Sequence, residues 1–203
     1  MNKTWRKTLS VGVVLAISLA GCASKQAETK PTKPTKAAKP TQVASSPKQG
    51  GEQKALAEKK KLGTWEGDPP AFPLKGNEHT KDGAANVAAY WISATDYAIF
   101  TGNTEPMEKV TSTDQPAFRT IRAISESFKE TGRYFGKPLK FALDIQELVS
   151  EDTFDNQFEV YEPQRMTEKG EKIPEKHGLI KVRTKWVGAK WKVLEVGAKD
   201  DAE

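Results

Sequence analysis

Almost nothing between residues 23 and 61 can be buried: apart from its alanines the stretch holds only Val43 and Leu56 as apolar residues. A chain cannot offset its conformational entropy without apolar surface to bury, so any core must come from the residues beyond 61. Thr29-Lys30-Pro31, Thr32-Lys33-Pro34 and the run Thr35 to Pro40 repeat one Thr/Lys/Pro theme, and Gly50-Gly51 adds a coil-forming pair. Residues 22–75 therefore read as a disordered tether, averaging about 40 Å end to end. From 62 to 75, Trp65 and Phe72 stand among Pro69, Pro70 and Pro73, which suits either a strap laid over a domain or a polyproline ligand for a partner groove. The domain itself is expected over 76–197, with a flexible tail at 198–203.

Ahead of the tether lie Lys3, Arg6 and Lys7, the apolar run from Leu9 to Leu19, and then small residues up to Cys22. This is the layout of a signal peptide over 1–21. As a helix the 11-residue run rises only about 16 Å, short of the roughly 30 Å hydrocarbon core of a bilayer. Leu19-Ala20-Gly21-Cys22 resembles the lipobox of bacterial lipoproteins, which implies cleavage between Gly21 and Cys22 and a diacylglyceryl group on the Cys22 sulfur. Two acyl chains anchor stably where one does not. The expected address is the extracytoplasmic face of the cell membrane. Cys22 is the only cysteine, so no internal disulfide and no thiolate metal site is expected.

The formal net charge of +5 suggests an acidic partner until it is divided along the chain. Residues 23–75 carry 11 basic and 5 acidic residues, whereas 76–203 carry 18 basic and 22 acidic, a net of −4. The folded part is acidic, which argues against a nucleic-acid-binding domain.

Within 76–197 the apolar period changes once. Val87, Trp91, Ala94 and Ala98 recur at helical spacing, flanked by Tyr90 and Tyr97, and predict a helix from about Asp82 to Thr101, capped by Asp82 and stopped by Gly102. Thr104 with Pro106 signals a short second helix, and Pro116 lies in the first turn of a third that begins near Thr113 or Asp114 and runs to Gly132. After Gly136 the period becomes two: Leu139, Phe141, Leu143 and Ile145 form one inner face, Phe154, Asn156, Phe158 and Val160 the next, and Ile180, Val182, Thr184 and Trp186 a third. A charged hairpin turns around 168–171, and the Val187-Gly188-Ala189 turn leads into a last strand over 190–196. Helices followed by an antiparallel meander make an α+β fold with the helices packed on one face of the sheet.

Thr80, Gly83-Ala84, Tyr90-Trp91, Asp96-Tyr97-Ala98, Thr101-Gly102-Asn103-Thr104 and Met107 resemble the signature of an actinobacterial lipoprotein family of unknown function, over about residues 68–197. The resemblance implies a nuclear-transport-factor-2-like, cystatin-like cone, in which a curved antiparallel sheet wraps the N-terminal helices and can leave an apolar pocket. It implies no activity. Members commonly carry a Cys-x-x-Cys pair where this chain has Gln115 and Phe118, so the corresponding disulfide is missing here and packing by Phe118 and Pro116 is the expected substitute.

No constellation in the sequence points to catalysis. An isomerase of the ketosteroid type needs a carboxylate base, a tyrosine and a protonated carboxyl in one apolar pocket. The available residues are Asp96, Tyr97 and Asp144; the first two are adjacent on a helix and point about 100° apart, and Asp144 falls on the wet side of its strand. Both aspartates are expected to be solvated. His79 and His177 each stand alone as solvated surface residues, without the companions of a metal site or a triad. No enzyme activity and no cofactor or metal is expected. Tyr90, Trp91, Tyr97, Phe141, Phe158, Trp186 and Trp191 either line a pocket for an apolar ligand or simply form the core. Lys181, Arg183, Lys185, Lys190 and Lys192 form an outer stripe that either holds an anionic polymer or is neutralised by Asp144, Asp155 and Glu159 across the sheet. The expected role is a membrane-held module that binds an envelope protein or a small apolar ligand, with a cone-pocket isomerase or an anionic-polymer binder as alternatives.

Overall fold

The computed structural model describes residues 49–200; the leader and Cys22 lie outside them, as does most of the tether. Among these residues four α-helices, α1 (Gln49–Leu62), α2 (Lys81–Thr101), α3 (Glu105–Glu108) and α4 (Phe118–Thr131), with a 3-10 turn at Leu74–Asn77 between the first two, precede seven strands: β1 (Tyr134–Gly136), β2 (Lys140–Ser150), β3 (Thr153–Glu162), β4 (Arg165–Thr167), β5 (Lys172–Ile173), β6 (Lys176–Val187) and β7 (Lys190–Asp200). The strands form a four-stranded sheet in the order β2-β3-β6-β7 and a small one in the order β1-β4-β5, every pair antiparallel. This is the α+β arrangement that the change of period announces.

The long helix α2 is the centre of the domain. Its N-cap is Thr80, two residues ahead of the expected Asp82; the Thr80 hydroxyl accepts the Gly83 N–H at 3.0 Å. Gly102, at φ +77°, ends the helix in the left-handed conformation that favours glycine. Buried positions fall on several sides of α2, including Val87, Ala88, Trp91, Ile92, Ala94 and Ala98, because the sheet, α4 and the strap before it all pack on this helix. Gly83 leaves no room for a side chain. A Cβ there would lie 2.2 Å from the Glu78 carbonyl oxygen and 2.9 Å from Trp191 Nε1.

Trp91, Phe158, Val182, Trp191 and Val193 lead the core between α2 and the sheet. A large ring buries about 200 Å², worth on the order of 5 kcal/mol before entropy is subtracted. Helix α4 starts at Phe118, later than the spacing predicts, because residues 113–117 are spent in turns; the Ala117 N–H donates to the Leu194 carbonyl at 3.0 Å and Phe118 packs on the core. That bond and the Thr111–Val193 bridge cover part of the β7 edge of the sheet.

The β2 edge departs from the strict alternation in the sequence. Leu143 pairs with Phe158 and Ile145 with Gln157, so Asp144 is an extra residue, and a second irregularity falls at Val149. The bulge at Asp144 turns Ile145 onto the convex face, and Leu143 and Ile145 are each 45% exposed rather than buried. Bulges also spoil an edge for pairing with another chain.

Two boundaries move. From Gln49 on, the stretch read as tether is the helix α1. Ala, Leu, Glu and Lys are strong helix formers, and α1 docks through polar contacts that a count of apolar residues cannot see. Glu58 pairs with Lys172 at 3.0 Å, and Lys59 donates to the Glu168 carbonyl while its ammonium lies 5.6 Å from the centre of the Phe135 ring. Lys172 holds the Glu58 carboxyl below its usual pKa. At the other end β7 continues through 198–200, pairing Ala198 with Ile180 and Asp200 with Gly178, so these residues are sheet rather than tail. Between α1 and α2 the chain lies on the domain as a strap: Trp65 meets Tyr97 edge-on at 5.4 Å, Phe72 meets Tyr90 at 5.2 Å, and the Gly63 carbonyl accepts the Gly136 N–H at 3.0 Å.

Candidate functional site

Of the aromatic residues that could line a pocket, Tyr90, Trp91, Phe158 and Trp191 belong to one core cluster, with Phe141 and Trp186 packed against it. Phe141 meets Phe158 edge-on at 5.8 Å. Tyr97 packs against Trp65, Tyr90 against Phe72, and Trp91 donates its indole N–H to the Thr111 hydroxyl at 3.1 Å. Trp186 lies with Trp191 beside the β6–β7 turn, 5.3 Å between ring centres. Tyr90, Trp91, Tyr97 and Phe158 are buried, while Phe141 and Trp186 are half-buried. On the convex face a hollow of about 40 Å³ is lined by Ile145, Glu147, Asp155, Gln157 and Lys181. Such a volume suits a water molecule rather than an organic ligand.

The chemically strongest group in the interior is an ion pair. Asp96, expected to be solvated, is 2% exposed and pairs with Arg165, itself 1% exposed. Asp96 Oδ1 accepts from the guanidinium and Oδ2 accepts the Leu139 N–H at 2.9 Å, so both carboxylate oxygens are occupied. Arg165 also reaches Glu162 at 3.1 Å and lies 4.9 Å over the Phe100 ring. Burial pushes the Asp96 carboxyl pKa up, while Arg165 and the Leu139 N–H pull it back. Gly136 makes room for this arrangement, since a Cβ there would lie 2.9 Å from Arg165 Cγ. One pair thereby fastens α2 to β4 and to the entry of β2.

Of the other residues an isomerase would use, Tyr97 packs under the strap and Asp144 stands exposed on the convex face, accepting from Gln157 at 2.9 Å. The three do not converge. A second polar group sits on the concave face, where Asn156, fully buried, donates to the Val182 carbonyl and the Thr184 hydroxyl, each at 3.1 Å. Gln146 donates both to the Asn156 side-chain oxygen at 2.7 Å and to the Lys81 carbonyl at 2.8 Å, which ties the start of α2 to the sheet.

His79 does not stand alone. Its Nε2 lies 2.8 Å from Asp152 Oδ1, and its ring stacks on Trp186 with 4.6 Å between centres and 8° between planes. It joins the strap to the β2–β3 turn, beside Trp191, whose indole N–H donates to the Glu78 carbonyl at 2.7 Å. His177 is exposed, 4.7 Å from the Tyr161 ring. Among the described residues no three His, Cys, Asp or Glu side chains are grouped to hold a metal ion.

The outer basic stripe splits in two. Arg183 clasps Asp155 with bonds of 2.7 and 2.9 Å and reaches Glu195 at 3.2 Å, while Lys181 lies 3.9 Å from Asp155. These two cations are neutralised across the strands, chiefly by Asp155. Lys185, Lys190 and Lys192 have no carboxylate within ion-pair distance among the described residues.

Several solved structures resemble this chain at low identity. They include a ketosteroid isomerase-like protein from Erwinia carotovora atroseptica, 10% identical over 60% of this chain and 96% of that one, with a TM-score of 0.46. A nuclear transport factor 2-like superfamily protein from Salmonella enterica serovar Typhimurium is 11% identical over 61% of this chain and 92% of that one, with a TM-score of 0.45. An uncharacterized protein with a cystatin-like fold from Caulobacter vibrioides is 13% identical over 59% of this chain and 91% of that one, with a TM-score of 0.44. Among curated proteins no relative matches the chain. The model of a family of unknown function, DUF6318, matches residues 68–197, from the strap to the last strand, and the chain belongs to that family.

Proposed function

We propose that this protein is a lipid-anchored module of the extracytoplasmic membrane face that binds an envelope protein or small apolar ligand and does not turn it over. The observation that carries the reading is Leu19-Ala20-Gly21-Cys22 behind a basic and then apolar leader. No helix among the described residues is long and apolar enough to cross a membrane; in this reading the membrane address rests on the acylated Cys22. With α1 counted in the folded unit, residues 22–48 are what separates the proposed anchor from the described domain. Against an isomerase-like reading stands Asp96, whose two oxygens are spent on Arg165 and Leu139.

Membrane fractionation tests the address. The wild-type chain is expected in the membrane fraction, released by detergent but not by high salt, and Cys22→Ala in the soluble fraction or retained with its leader. A Cys22→Ala chain that matured and still partitioned with membranes would overturn the reading.

A further inference from the structure

Along the convex face the register lines up rows of side chains across the sheet. In one row Glu147, Asp155, Arg183 and Glu195 stand side by side; Arg183 pairs with Asp155 and Glu195 on either side of it, while Glu147 stands opposite Asp155, so this row is acidic. The next row toward the β6–β7 turn is built differently. Lys185 stands directly opposite Lys192, with Thr153 on its other side, and Lys190 follows opposite Val187. Like charges directly opposite on a sheet repel. No carboxylate among the described residues lies within ion-pair distance of the three lysines: Asp152 in the β2–β3 turn contacts His79 instead, and Lys192 Nζ donates to the Lys109 carbonyl at 3.0 Å.

We infer that Lys185, Lys190 and Lys192 form a docking corner for a phosphate-bearing polyanion. Lysine ammoniums are compact point charges on flexible stems, suited to phosphate oxygens rather than to planar bidentate recognition. The corner is an exposed turn, so a ligand there is held by several contacts along its length. That favours a polymer over a small anion. The corner also lies at the α2 N-terminal end of the sheet, whereas α1 docks on β1 and β4 near the other end. Helix α2 alone spans about 30 Å. The polymer source, as opposed to the membrane's own headgroups, rests on the proposed anchoring, because the anchored segment joins the domain through α1, at the end remote from the corner; the binding itself does not.

The probe is long-chain polyphosphate, titrated against the full mature chain in detergent at two salt concentrations. Combined Lys185→Glu, Lys190→Glu and Lys192→Glu is expected to weaken binding about tenfold or more and to flatten its salt dependence. The same charge change at Lys137, Lys140 and Lys176 is expected to weaken it less than about twofold, since charges beyond a Debye length are screened. Lys185→Glu alone is expected to raise Tm by about 1–3 °C by turning a repulsive cross-strand pair into an attractive one. Equal losses from the two triple variants, or no binding by wild type at low salt, would overturn the corner. Phosphatidylglycerol vesicles competing through the same three lysines more tightly than polyphosphate would overturn the polymer as its occupant. Loss of membrane attachment in Cys22→Ala with polyphosphate binding intact would leave the corner standing and touch only the source.

Discussion

Asp96→Ala is expected to lower the stability of the domain by about 3–5 kcal/mol, as measured by urea unfolding. The substitution leaves Arg165 buried with only Glu162 to balance it, and leaves the Leu139 N–H without its acceptor. Asp96→Asn retains an acceptor for Leu139 but not the charge, so it should fall between Ala and wild type. Replacing both partners, Asp96→Leu with Arg165→Leu, should recover much of the loss, because two apolar side chains leave no buried charge behind. Asp144→Ala, on the convex face, should cost less than about 0.5 kcal/mol. A wild-type-like Asp96→Ala protein would mean that the pair does not hold α2 to β4.

The second large effect concerns where the folding unit begins. A chain starting at Asp68, the first residue of the family match, loses α1, the Gly63–Gly136 hydrogen bond and Trp65. Tyr97 and Phe100, 8% and 2% exposed, are then uncovered where Trp65 lay against them at 5.4 and 6.3 Å. Uncovering some 120 Å² of apolar surface costs about 3 kcal/mol, or about 10 °C in Tm. Trp65→Ala in the full chain should account for most of it. If the chain from Asp68 melted with the full-length protein, the strap would be an accessory rather than part of the fold.

The α+β class is legible in the sequence because its signals are local. Helical spacing from Val87 to Ala98, Gly102 at a helix end and the period-two runs after Gly136 each report the backbone they lie on. Trp65 and Phe72 among prolines likewise mark the strap. The features that escape are set by long-range contact. Arg165 carries no local mark of its partnership with Asp96, which lies 69 residues away; a single arginine after Pro163-Gln164 reads as surface. The His79–Asp152 contact joins a strap to a turn, and the small β1-β4-β5 sheet is made of strands too short to show a period. Bulges are also silent in a hydrophobic pattern, since Leu143 and Ile145 look alike until Asp144 drops out of register. Helix α1 escapes because its docking is polar, through Glu58 and Lys59, while the composition of its neighbours points to a tether.

Every role proposed for this chain outside the cytoplasm depends on an acylated sulfur at position 22, and the intact mass of the mature protein, extracted from membranes of a host that makes it, reads that sulfur without intermediaries. The expected mass is that of a chain beginning at Cys22 and carrying a diacylglyceryl group on that residue. A chain beginning elsewhere, or one with a free Cys22 thiol, would contradict it.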